Sequence, residues 1–151
     1  NVGPIDEVTR AVYRDKRLVI PSLYLWRIAY GLLPGLIGAE KAAKVSGHGA
    51  DPLTSLGLHL MPEILRPDLI PAAAALKRDP QFDLPVTTLG LASFDGIEVG
   101  MPNEYDEIFN DGVDKGDPNL SSAETGQLLA DKLVDVVARF IAHFAAKTDQ
   151  A

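Results

Sequence analysis

The residues of this chain whose types and spacing could do chemistry are concentrated in one short loop. His48 lies in the stretch SGHGAD (residues 46–51), directly before a predicted helix, with Asp51 three residues further on. Backbone N–H groups at a helix start favour anionic ligands and developing negative charge. His48 could therefore donate a proton, stabilise an oxyanion or bind a metal, and Gly49 would let a substrate approach the backbone. The plainer interpretation, which residue types alone favour, is an exposed histidine and an aspartate that caps the helix.

The other polar residues are simpler to explain as structural. His59 lies between two leucines of a predicted helix, and His143 lies near the end of the last helix, where a cation complements the helix dipole. Arg66 and Asp68 flank a proline and predict a local ion pair. Six carboxylates form an acidic stretch: Glu104, Asp106, Glu107, Asp111, Asp114 and Asp117. Their spacing does not match that of a calcium-binding loop, so a solvated or interface loop is favoured. The chain contains no P-loop, dinucleotide, nucleophile-elbow or zinc-protease motif, so motifs alone disclose no function.

Composition limits the class of protein. The 151 residues include 14 Lys and Arg against 21 Asp and Glu, a formal net charge of −7, and 46% are hydrophobic. This is ordinary composition for one globular domain, and the acidic balance argues against nucleic acid or an anionic membrane as partner. No apolar run is long enough to span a bilayer. The absence of cysteine excludes disulfides and thiolate zinc sites, and it fits the cytoplasmic location that we expect.

Hydrophobic periodicity predicts the elements that must position the loop. Residues 2–15 have helical spacing, and the apolar run over residues 18–25 is typical of a strand buried on both faces of a parallel sheet. Residues 26–38 contain two glycines and a proline before Gly38, which predicts an irregular apolar cover, and residues 39–45 predict a short helix.

The second half predicts one more helix, two strands and a long final helix. Asp51 as N-cap and Pro52 at the first turn begin the helix after the loop, and residues 72–76 predict a helical turn. Strands over residues 86–91 and 97–101 should flank a tight turn at Asp95-Gly96. A capping box from Ser121 to Glu124 begins the final helix, whose apolar positions repeat every 3.6 residues: Leu128, Leu129, Leu133, Val136, Val137, Phe140, Ile141 and Phe144. This order of helices and strands indicates an α/β fold. Because two or three strands are too few for a stable sheet, we expect that strands of the sheet are missing from this chain.

The first residue predicts processing of a longer precursor. The chain begins with Asn1, and removal of an initiator methionine is normally confined to small second residues. We therefore expect Asn1 to follow an internal cut, made by a separate protease or by hydrolysis within the maturing protein, and we expect an N-terminal chain of the same precursor as partner.

Two segments and the first residue resemble the creatininase family. SGHGADPLTS (residues 46–55), followed by LRPDLI (residues 65–70), is similar to that family's His-Ala-Gly-Glu-x-Glu-Thr-Ser segment and its trailing Arg-Pro-Asp-Leu-Val. GVDKGDP (residues 112–118), with Ser122, Glu124 and Gly126, resembles the element before the family's final helix. Asn1 resembles the last residue of the family's Asn-Gly-His-Gly-Gly-Asn motif, so the resemblance runs from there to about Phe144.

The resemblance implies a three-layer α/β/α fold with a mostly parallel sheet, of which residues 1–151 supply the C-terminal part and a separate chain the N-terminal part. It implies a homo-oligomer, often a hexamer, that hydrolyses C–N bonds in small cyclic or linear amides with one or two divalent metals, commonly zinc with manganese or iron. Most metal ligands of the family precede the position that matches Asn1. The metal would therefore be bound mainly by the partner chain.

The resemblance also implies roles for individual residues. His48 matches the histidine that assists proton transfer to the departing nitrogen. Asp51 takes the place of a catalytic glutamate and, being one methylene shorter, could reach a metal only if the loop shifts. Trp26 or Tyr24 occupies the region of an aromatic substrate wall, although a core position is an equal alternative. Leu53 stands where the family has a second glutamate, which leaves a catalytically inactive structural or regulatory subunit as the alternative function.

Overall fold

The structure is a computed structural model that describes residues 2–71, 79–104, 107, 112–113 and 115–148. Several predictions lie outside these residues: the contacts of Asn1, the helical turn at 72–76, and three carboxylates of the acidic stretch, Asp106, Asp111 and Asp114.

The described residues contain five α-helices, three of which begin and end close to their predicted positions. They are α1 (Val2–Lys16), α2 (Leu25–Ile37), α3 (Ala39–Val45), α4 (Leu53–Leu60) and α5 (Ala123–Thr148). Short 3-10 helices lie at Pro62–Ile64, Pro67–Leu69 and Pro118–Leu120. The helices predicted over these three segments, α1, α3 and α5, are thus confirmed. Within the described ranges, no helix combines the length and the apolar character needed to cross a membrane.

The prediction of an irregular cover over residues 26–38 is wrong, because residues 25–37 form α2. The helix continues through Pro34, which has no N–H to donate, and through two glycines. Ala29 and Leu33, four residues apart on one face, are both buried. Burial of this apolar face stabilises the helix more than its glycines and proline weaken it.

The prediction of a buried strand over residues 18–25 is also wrong. Residues 17–24 form neither helix nor strand, and α2 already begins at Leu25. Leu18 and Val19 are each 55% exposed, and Ile20 is 45% exposed. A strand needs a neighbour to pair its backbone N–H and C=O groups, and no described strand lies beside this segment.

The strands form one antiparallel sheet in the order β1 (Val86–Thr88), β2 (Leu91–Phe94) and β3 (Ile97–Gly100). The tight turn is confirmed: Asp95 and Gly96 have φ values of 48° and 79°, as two-residue hairpin turns require. The single strand predicted over residues 86–91 is instead divided by a turn at Leu89-Gly90. The fold is therefore mixed α/β, but the sheet of the described residues is antiparallel instead of mostly parallel.

The hydrophobic core lies between helices and not on the sheet. Ala29 and Leu33 of α2, Ala42 of α3 and Leu129 of α5 form one buried cluster, and Leu56 of α4 packs against it. Helix α1 buries none of its residues, and the sheet has a separate small cluster around Val86. This helical core supports the residues of the loop between α3 and α4.

Candidate functional site

The loop that carries His48 is closed at its base by backbone hydrogen bonds. Ser46 and Asp51 pair as a parallel bridge, the N–H of Gly47 donates to the carbonyl of Asp51 at 3.1 Å, and the N–H of Asp51 donates to the carbonyl of Val45 at 3.0 Å. His48 lies between these closing residues and is exposed. A short closed loop on two helices therefore holds His48 at the surface of the described chain.

A second segment packs against this loop, backbone to backbone. A Cβ on Gly47 would overlap the carbonyl oxygen of Lys115, so only glycine fits there. The N–H of Asp117 donates to the carbonyl of Lys44 at 2.8 Å, at the end of α3. The two segments that carry the sequence resemblance therefore meet in space, although about 65 residues separate them along the chain.

Glycine is required at position 49 by the backbone conformation there and by the closeness of neighbouring atoms. Its φ is +76°, in the region that glycine favours, and a Cβ there would overlap the carbonyl oxygen of Gly112 and lie 3.0 Å from atoms of Val113. The atoms that approach Gly49 in this structure belong to the chain itself, in Gly112 and Val113. Contact of Gly49 with a substrate stays a prediction.

Asp51 is fully buried at the start of α4. One carboxylate oxygen, Oδ1, accepts hydrogen bonds from the N–H of Ser55 at 3.0 Å and from the hydroxyl of Ser121 at 2.7 Å. The other, Oδ2, is buried without a hydrogen-bond partner, and the residue is 0% exposed. The prediction of Asp51 as N-cap is wrong, because α4 begins at Leu53 and Pro52 is its N-cap residue. The bond from the N–H of Ser55 goes to the residue before the cap.

The start of α5 differs from the predicted capping box by one residue. The hydroxyl of Ser122 accepts from the N–H of Thr125 at 3.2 Å, so Ser122 is the cap of a helix that begins at Ala123. The N–H of Ser122 itself donates to the hydroxyl oxygen of Ser55 at 3.0 Å. Because Ser122 caps the helix, the hydroxyl of Ser121 is available to Asp51.

The two predicted aromatic residues lie near a tyrosine that the sequence analysis missed. Trp26 and Tyr30 of α2 meet edge to face, with ring centroids 5.2 Å apart and an interplanar angle of 75°. Tyr24, just before α2, is 47% exposed. Burial raises the pKa of the Tyr30 phenol, and the negative charges of Asp51 and Tyr24 raise it further. The four-residue spacing of Trp26 and Tyr30 would have indicated their contact had α2 been predicted as a helix.

We expect the Tyr30 phenol to ionise above the usual pKa of a tyrosine, because burial opposes its charged form. Because its pKa is raised above the usual 10.0, its contribution to folding is full below pH 10 and is lost as the pH rises through the folded value. Absorbance at 295 nm should show a late titration step that Tyr30→Phe removes and Asp51→Asn moves to lower pH. Tyr13→Phe, at an exposed tyrosine of α1, is the control that should leave this step in place.

The chain matches a model of a known protein family. Residues 1–141 match the family model described as Creatininase: Creatinine amidohydrolase. The chain belongs to the creatininase family. Comparisons with curated proteins and with solved structures gave no match.

Creatininase family enzymes are amidohydrolases and generally depend on metal, so we tested whether this chain's residues fit a metal ion. The described residues contain no group of three or more His, Cys, Asp or Glu side chains that could hold one. Asp51 is enclosed by the chain's own helices, and its Oδ1 is already engaged by Ser55 and Ser121. Structural and catalytic zinc sites need three or four ligands, so these residues do not form a metal centre by themselves.

The remaining candidate polar residues lie outside the His48 loop. His59 of α4 lies against Gly126 of α5, where a Cβ on the glycine would come within 2.8 Å of the histidine's own Cβ. His143 is exposed on α5. The predicted ion pair is confirmed, with the Arg66 guanidinium 2.8 Å from an Asp68 carboxylate oxygen.

Proposed function

We propose that the chain forms part of a metal-dependent amidohydrolase that cleaves the C–N bond of a small cyclic or linear amide. The observation that carries this proposal is the exposed His48 on a loop clamped to the second family segment. An exposed ring on a rigid base can face a substrate that binds at this surface. Membership of the creatininase family supports the reaction class.

In this reaction His48 handles the proton on the leaving group. A divalent metal, zinc or else manganese or iron, would supply an activated water and polarise the amide carbonyl. Hydrolysis would place the hydroxyl group of a water on the carbonyl carbon, and the remaining proton of that water would reach the nitrogen of the broken C–N bond through His48. His48 donates a proton to the departing nitrogen, so that it leaves as a neutral amine.

Three further residues are proposed to contact the substrate. Trp26 and Tyr24 offer partly exposed aromatic surface to a planar amide, and Gly49 offers a backbone beside His48. Tyr30 supports Trp26 through the edge-to-face contact.

We further propose that the metal ligands come mainly from the N-terminal chain of the same precursor. The exposed apolar segment 17–24 supports this, because contiguous exposed apolar residues mark interaction surfaces. Together the two chains would form a three-layer α/β/α domain with a mostly parallel sheet. A cytoplasmic homo-oligomer of the two-chain unit completes the proposal.

Metal removal tests the proposed chemistry. The natively purified protein, with its polypeptides identified by denaturing mass spectrometry, is assayed against a panel of small amides by mass detection of the released amine. We expect hydrolysis to be lost after chelation and restored by zinc, manganese or iron, because the metal supplies the activated water. Hydrolysis that persists in fully metal-free protein would contradict metal dependence.

A catalytically inactive structural or regulatory subunit is the second candidate. Leu53, the first residue of α4, is 55% exposed and occupies the position of a family glutamate. A leucine can neither bind a metal nor transfer a proton. This candidate is favoured if the metal-loaded assembly hydrolyses none of the amides.

A further inference from the structure

We propose that Asp51 is a positioning residue, which holds the His48 loop on the start of α5 and neither binds the metal nor transfers a proton. The proposal rests on the proposed function in one respect, since His48 is the group that Asp51 positions.

The backbone of Asp51 sets the shape of the loop. Its carbonyl accepts from the N–H of Gly47 at 3.1 Å, and its own N–H donates to the carbonyl of Val45 at 3.0 Å. His48 lies directly after Gly47 inside this closure. A movement of Asp51 therefore moves the base from which His48 extends.

The side chain of Asp51 joins that base to a distant part of the chain. Its Oδ1 accepts from the hydroxyl of Ser121 at 2.7 Å, across 70 residues of sequence. A second bond lies beside it, from the N–H of Ser122 to the hydroxyl oxygen of Ser55 at 3.0 Å. We call these two bonds the serine tie. The serine tie links Ser121 and Ser122, just before α5, with Asp51 and Ser55 at the start of α4. It therefore fixes the His48 loop relative to the second family segment.

The two carboxylate oxygens of Asp51 have different roles in this arrangement. Oδ1 makes both side-chain hydrogen bonds, whereas Oδ2 is buried with no partner. The positioning role thus uses one acceptor oxygen and no negative charge, and burying that charge without a counter-ion is costly. An asparagine side chain keeps an acceptor oxygen of the same shape, but its amide group is a poor substitute for a carboxylate metal ligand and cannot act as an acid or base.

Variants of the natively purified protein distinguish a positioning role of Asp51 from metal binding and from proton transfer. Asp51→Ala and Ser121→Ala each remove the bond between Ser121 and Asp51, one of the two bonds of the serine tie, while Asp51→Asn keeps the acceptor oxygen. Asp131→Asn, at an exposed carboxylate of α5, is the control for loss of charge. The readouts are the ring resonances of ¹⁵N-labelled histidine, the bound metal per protein, and kcat and KM for the amide that the protein hydrolyses.

The expected result is a shift of the His48 resonance in Asp51→Ala and in Ser121→Ala, with the His143 resonance unchanged. We expect kcat to fall about 10- to 100-fold in both, with KM nearly unchanged, because a misplaced catalytic group slows the reaction. The double variant should lose no more than Asp51→Ala alone, since that substitution already removes the bond from Ser121. Asp51→Asn and the Asp131→Asn control should keep the resonance, the metal and a kcat within about threefold.

Three outcomes would overturn the proposal. Loss of metal in Asp51→Asn would make Asp51 a ligand. Loss of kcat in Asp51→Asn with an unshifted His48 resonance would make it an acid or base. An unshifted resonance in Ser121→Ala would show that the serine tie does not position His48. The resonances need no activity, so shifted resonances in a protein without hydrolysis would support the positioning role and count against the proposed function.

Discussion

Replacement of His48 by alanine is expected to lower kcat for amide hydrolysis by about 100- to 10,000-fold, the usual contribution of a positioned general acid. The imidazole would protonate the departing nitrogen, and without it the nitrogen must leave as an unstable anion or wait for a proton from water. Because His48 is exposed on a loop whose base is closed by backbone bonds, removal of its ring should leave the fold intact. Steady-state kinetics with circular dichroism as a folding check measures both effects.

The matched control for His48→Ala is His143→Ala. His143 is also exposed, but it lies near the end of α5 and not in the clamped loop. We expect this control to keep wild-type kcat and bound metal. An unchanged kcat in His48→Ala, or an equal loss in both variants, would remove His48 from the mechanism.

Gly126→Ala is expected to destabilise the protein by about 3 kcal/mol or more, at the upper end for overpacking. A Cβ at this position would overlap the carbonyl oxygen of Ser55, and it would lie 2.8 Å from the Cβ of His59. The contact is between the backbones of α4 and α5, which have no rotamer to change, so the two helices must separate. Separation would also lengthen the serine tie. Urea denaturation followed by circular dichroism measures the loss as a lower transition midpoint.

Gly35→Ala is the control for this substitution. Gly35 lies in α2, and a Cβ there would meet no atom within 4 Å. Alanine has the higher helix propensity, so this variant should be more stable by about 0.5–1 kcal/mol. Equal transition midpoints for Gly126→Ala and the wild type would show that α4 and α5 are not packed so closely.

Some elements could be predicted because their sequence pattern is local and strong. Helix α5 has a 3.6-residue apolar repeat from Leu128 to Phe144, α1 has its proline in the first turn, and α3 consists largely of helix-forming residues. The Asp95-Gly96 turn has residues that accept positive φ. The site loop could likewise be located from its glycines and from its resemblance to the family segment.

Other predictions failed because they depend on what a segment packs against. The glycines and the proline of α2 predicted irregular structure. The segment forms a helix instead because Leu33 packs with Leu129 of α5 in the buried core. The apolar run at residues 18–25 predicted a buried strand, yet a strand forms only beside a partner strand, and the described sheet lies elsewhere.

By itself the sequence determined the family, the helical periods and the position of the His48 loop, because these depend on residue types over short spans. Only the tertiary structure decided that Ser122 and not Ser121 caps α5, that Ser121 binds the buried Asp51, and that Gly126 lies against the backbone of Ser55. The last two contacts join residues about 70 positions apart, and the cap at Ser122 leaves Ser121 available for the first of them. Local pattern carries no information about such pairings, since they form only when the helices pack.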